Sequence, residues 1–151
     1  MERKYVLGIS MLLLAGVVLL FVSALAGSIS EGVVEYKGIS GTKGGSVHSI
    51  LLNRPIDDEP WILVKDRSFE QFFTEDATNA VINESVEHAL QMDYVDVTYI
   101  VAIRNDPEAA GVQPYTVDRN TFNGLAIGNT VSYLHTNEKG APAVIRVLSV
   151  S

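Results

Sequence analysis

Residues 94–104 read Tyr94-Val95-Asp96-Val97-Thr98-Tyr99-Ile100-Val101-Ala102-Ile103-Arg104, and this stretch decides the fold class. Its odd positions, Val95, Val97, Tyr99, Val101 and Ile103, are all apolar or aromatic β-formers, while the even positions are mixed. Side chains alternate across a strand with a period of two, so the pattern predicts a strand with one face in a core. Downstream, residues 112–117 predict a further strand, and Pro114 suits an edge because it offers no ladder donor. Residues 118–128 read as a loop with a turn at Asn123-Gly124. Residues 130–135 and 143–150 then form a last hairpin.

Upstream, Ile82, Val86, Ala89 and Leu90 recur at helical spacing and predict a helix over 78–92. Ser68-Phe69-Glu70-Gln71 has the form of a capping box and predicts a short helix. Residues 61–65 (WILVK) read as a short strand. Residues 53–60 (NRPIDDEP) read as a loop, since two prolines deny ladder donors and three consecutive acids repel. Residues 32–39 and 47–52 pair as a hairpin across the glycine-rich turn 40–45 (SGTKGG). The expectation is a mainly β (α+β) domain, a small antiparallel barrel or sandwich-like body of about seven strands with one inserted helix, the alternative being an open antiparallel sheet with the helix packed on one face. A helix inserted after the third strand of a small barrel resembles the OB-fold order of elements; the resemblance concerns architecture alone.

Ahead of this domain stands an uncharged stretch introduced by Arg3 and Lys4. Residues 6–26 (VLGISMLLLAGVVLLFVSALA) would span about 30 Å as a helix, close to the hydrocarbon thickness of a bilayer. Two readings compete: a retained transmembrane helix, or a secretory signal cleaved after Ala24-Leu25-Ala26. Both leave the basic residues 1–5 as a short cytoplasmic tail and place the remainder outside. Gly8-Ile9-Ser10 also resembles the processing site of type IV pilin-like precursors, although Leu13 stands where those usually carry a glutamate. Residues 27–31 read as a short exit linker and residues 32–151 as the extracytoplasmic domain.

The chain carries a net charge of −7, and its acidity is concentrated. Residues 57–108 hold thirteen Asp/Glu against three Lys/Arg. Such a surface repels phosphate backbones, so nucleic acid is not an expected partner. The absence of cysteine rules out disulfides, thiol catalysis and cysteine-based zinc sites.

Few residues carry recognisable chemistry. His48, His88 and His135 are far apart, and no pair has metal-ligand spacing. Asp57, Asp58 and Glu59 form the densest acidic loop and are the only candidates for a hard cation, though the spacing is not that of an EF-hand. No phosphate loop, dinucleotide fingerprint or nucleophile elbow is present, and no cofactor is expected. Asn83-Glu84-Ser85 is a glycosylation sequon. Trp61, the single tryptophan, is expected to pack in the core beneath the acidic loop; exposed, it would be a binding anchor. The resulting expectation is a membrane-anchored, extracytoplasmic binding or assembly module without catalysis, partnered by the bilayer and by a protein of the envelope. The alternatives are an envelope hydrolase using acids from 57–96 and one histidine, and a secreted binding protein released near Ala26.

Overall fold

In the computed structural model the described residues are 28–74, 76–105, 111–136 and 142–151. The expected anchor at residues 6–26 lies outside them, and among the described residues no helix is long and apolar enough to cross a membrane. Seven strands carry the fold: β1 (Ser28–Lys43), β2 (Ser46–Ile56), β3 (Glu59–Val64), β4 (Val95–Arg104), β5 (Gln113–Val117), β6 (Thr130–His135) and β7 (Val144–Val150). A 3-10 segment, Arg67–Phe72, follows β3. Two helices follow, α1 (Glu84–Asp93) and α2 (Arg119–Gly124).

The strands form one antiparallel sheet in the order β3-β2-β1-β4-β5. β1 is long enough to serve two sub-sheets. Residues 33–42 pair with β4 along one edge; the other edge takes β6 at residues 28–33 and β2 at residues 37–43. β6 then pairs with β7. The expected barrel is not formed. β5 is joined to the residue just before β7 by one isolated parallel bridge, Thr116–Ala143, rather than by a ladder, and among the described residues β3 remains an edge. Ser28 to Glu31, read from the sequence as exit linker, belong to β1.

The alternating segment forms β4, with Val101 and Ile103 fully buried and Tyr99 and Val97 packed against the core. Register shifts re-aim side chains elsewhere. The β1–β4 register slips between Val34 and Tyr36, and this bulge puts Val34, Lys37 and Ile39 all inside the protein. A second slip, between Ile39 and Ser40 against β2, lets Ile50 and Leu51 both bury although they are neighbours. The β1–β2 turn is made by Gly44 and Gly45, both at positive φ, which a two-residue hairpin of this kind requires.

Two helical expectations change. The helix expected over 78–92 starts only at Glu84, with Asn83 as its N-cap. The preceding backbone is taken up by two asparagine side chains: Asn53 Nδ2 donates to Thr78 O, Ala80 N donates to Asn53 Oδ1, and Asn123 makes two bonds to the Ile82 backbone. Peptide groups held sideways in this way do not enter a helical ladder. The expected loop 118–128 instead contains α2, capped by Asp118, whose carboxylate accepts from Thr121 N at 2.8 Å.

Candidate edge-strand site

The segment expected as the loop 53–60 is a tight hairpin. β2 and β3 continue to the Ile56–Glu59 pair, and Asp57 and Asp58 alone make the turn, at φ 52° and 67°. Both prolines are accommodated because Pro55 faces Pro60 across the ladder. In an antiparallel pair only every second couple exchanges hydrogen bonds, and two prolines fit the couple that exchanges none. The alternation is thereby fixed. Glu59, Trp61 and Leu63 bond to β2, while Pro60 C=O and the N–H and C=O groups of Ile62 and Val64 point away from it. No strand among the described residues pairs with that outer edge.

The two faces of β3 differ. Ile62 and Val64 pack against the core cluster. Glu59, Trp61 and Leu63 point the other way, opposite Ile56, Arg54 and Leu52 of β2. Trp61 is therefore 47% exposed rather than packed in the core, contrary to expectation, because it lies on the outer face of an edge strand. Open grooves flank it on both sides. One is lined by residues 61–65 together with Glu70, Gln71, Phe73 and Thr74; the other by Glu59, Pro60, Asp76, Ala77 and Thr78.

A buried polar anchor holds this edge in place. Asn53 is fully buried, and its Nδ2 donates to Trp61 O at 2.9 Å. Beside it in the ladder, Lys37 is also fully buried. Its Nζ donates to Asn79 Oδ1, Ala80 O and Leu125 O at 2.8, 2.9 and 2.7 Å, and lies 4.3 Å from the centre of the Phe122 ring. Burial pushes the Lys37 ammonium from 10.5 down to about 7. The three carbonyl acceptors and the aromatic face act in the opposite sense, since each favours the charged form. With all three donors engaged and no exposed surface, this amine is a structural clamp, not a nucleophile. Sequence reasoning missed it because a lysine in a strand ordinarily marks the solvent face; the bulge before it carried no sequence signal.

At the far end of β3, Asp66 caps the 3-10 segment, accepting from Ser68 N at 3.0 Å and from Ser68 Oγ at 2.8 Å. Tyr94 Oη donates to Asp66 Oδ2 at 2.6 Å. These bonds hold the Asp66 carboxyl below its ordinary value, the Tyr94 bond foremost.

The other residues singled out from sequence do not converge. Asp57, Asp58 and Glu59 are exposed at the hairpin tip. Among the described residues, no group of three or more His, Cys, Asp or Glu side chains is placed to hold a metal ion. His48 and His88 are exposed on β2 and α1. His135, on β6, is nearly buried, with Nε2 2.9 Å from Ser30 Oγ and its ring against Tyr115 and Tyr133. Asn83 of the sequon uses its side-chain oxygen to cap α1, accepting from Val86 N at 3.0 Å. No family model, no curated protein and no solved structure matches the chain.

Proposed function

We propose that the chain is a non-catalytic binding or assembly module, held at the membrane by residues 6–26 and displayed outside the cell, that engages a protein partner through the β3 edge. The observation that carries this reading is the unpaired outer edge of β3 beside the exposed Trp61. Edge strands offer a row of main-chain donors and acceptors, and an added strand satisfies them while side chains set the choice of partner. An exposed tryptophan in the middle of such an edge is the residue type that dominates contact energies.

The test is a photo-reactive amino acid at position 61 in the full chain in its native membrane, with Met92, exposed on α1, as the control position. A covalent protein adduct from position 61 and none from position 92 supports the reading. Equal yields, or no adduct, overturn it. Protease added outside cells should remove a tag at the C-terminus; protection of the tag would overturn the topology.

A further inference from the structure

We infer that the partner strand at the β3 edge is β3 of a second copy of this chain, paired antiparallel about a two-fold axis at Ile62. This rests on the edge being a contact surface and names its occupant.

The argument is the order of chemistry along β3 and the residue that follows it. β3 and the residue after it read Glu59-Pro60-Trp61-Ile62-Leu63-Val64-Lys65, acidic at one end and basic at the other, with only apolar residues between. Laid antiparallel on itself about Ile62, each position meets a complement. Glu59 faces Lys65 of the second copy, Trp61 faces its Leu63, Pro60 faces its Val64, and Ile62 faces Ile62. Pairs across an antiparallel ladder share a face. The charged and Trp–Leu pairs therefore fall together on the outer face, where Trp61 and Glu59 are exposed. The Ile–Ile and Pro–Val pairs extend the core face.

The backbone accommodates the same register. Ile62 presents both N–H and C=O outward and exchanges two bonds with its symmetry mate. Val64 N–H reaches Pro60 C=O of the other copy, twice by symmetry. Pro60 has no N–H to donate, which limits the ladder to these four bonds and makes it short. Charge selects the register and direction. A parallel arrangement would set Glu59 beside Glu59 and Lys65 beside Lys65, and like charges in register oppose pairing.

The experiment uses the full chain in detergent or in lipid nanodiscs, with mass determined by light scattering over a concentration series. Dimers are expected. Glu59→Lys and Lys65→Glu should each weaken dimerisation about tenfold or more, because each substitution acts twice across the two-fold. The double variant Glu59→Lys/Lys65→Glu should restore it. Both positions are exposed, and an unchanged melting temperature of each monomer confirms folding. Monomer at all concentrations, or a dimer indifferent to both charge reversals, overturns the inference. An adduct from position 61 to a different protein, alongside monomeric mass, also overturns it while leaving the edge as a binding surface. Absence of any adduct overturns both.

Discussion

Lys37 and Asn53 are partners in the β1–β2 ladder, and both reach the backbone of one residue, at the two peptide groups that flank its Cα: Lys37 Nζ donates to Ala80 O at 2.9 Å, and Asn53 Oδ1 accepts from Ala80 N at 3.1 Å. Two adjacent strand residues thus fasten the connection between the 3-10 segment and α1 to the underside of the sheet. Asn53→Ala removes three hydrogen bonds at a fully buried site and orphans the Ala80 N–H. The expected loss is about 2–4 kcal/mol in urea unfolding. Because Lys37 and Asn53 share Ala80, a double-mutant cycle with Lys37→Met should give a coupling of about 0.5–3 kcal/mol. A coupling near zero would show that the two clamps act independently.

Stability should climb on the alkaline side of neutrality. Folded Lys37 binds its proton more weakly than an unfolded lysine, about 7 against 10.5. Between those values the unfolded chain holds more protons, so stability rises with pH, by up to about 1.4 kcal/mol per pH unit for one such group. Tyrosines act in the reverse sense. Burial, reinforced by the bond to Asp66, pushes Tyr94 up to about 12, and burial raises Tyr133 as well. The unfolded chain loses these protons first, above pH 10, so stability falls there. A melting-temperature series from pH 6 to 11 should therefore peak near pH 10. Lys37→Met should abolish the rising limb and leave the falling one.

What could be read from the sequence, and what could not, separates along the same residues. β6 was legible from its alternation and β4 from its uniformly apolar odd positions: 94–104 and 130–135 match the observed Val95–Arg104 and Thr130–His135 closely, although Asp96 sits at φ 52° and Val95, expected on the core face, is exposed. The antiparallel, mainly β class followed from those strands. The bulges were not legible, and each one moves a residue to the opposite face, so Lys37 and Ile50 bury without any local signature. α2 did leave a signal, Asp118 three residues before Thr121 with Gly124 at the far end, which fits a capped turn of helix as well as a loop. The β3 edge was hidden behind its prolines. Pro55 and Pro60 look like breakers one at a time, and only their mutual pairing reveals that both sit where the ladder asks for no donor.

The hairpin tip stores strain. Asp57 and Asp58 both adopt left-handed backbone, a conformation that costs a non-glycine residue on the order of 1 kcal/mol or more. Asn-Gly suits such a turn best. Asp57→Asn/Asp58→Gly should raise stability by about 1 kcal/mol in denaturant unfolding, partly by removing two neighbouring negative charges. No gain would mean that the aspartates recover the strain through their own contacts.

Gly41 of β1 packs directly against Tyr94, the residue that ends α1 and precedes β4. A Cβ on Gly41 would lie 2.8 Å from Tyr94 Cβ, closer than carbon atoms pack. Tyr94 is 6% exposed, so its ring cannot swing into solvent without opening the cluster that it shares with Phe69. Gly41→Ala should therefore displace the ring, break the Tyr94–Asp66 bond and loosen the cap of the 3-10 segment. The expected cost is about 1–3 kcal/mol, the range for overpacking a well-filled site. Tyr94→Phe keeps the ring and loses only the hydroxyl bond, about 1 kcal/mol. The order of the two effects is the informative result. If Tyr94→Phe proved the more damaging, the Asp66 bond rather than ring packing would be what holds this corner, and the groove beside β3 would owe its shape to a hydrogen bond that acid, by protonating Asp66, could weaken.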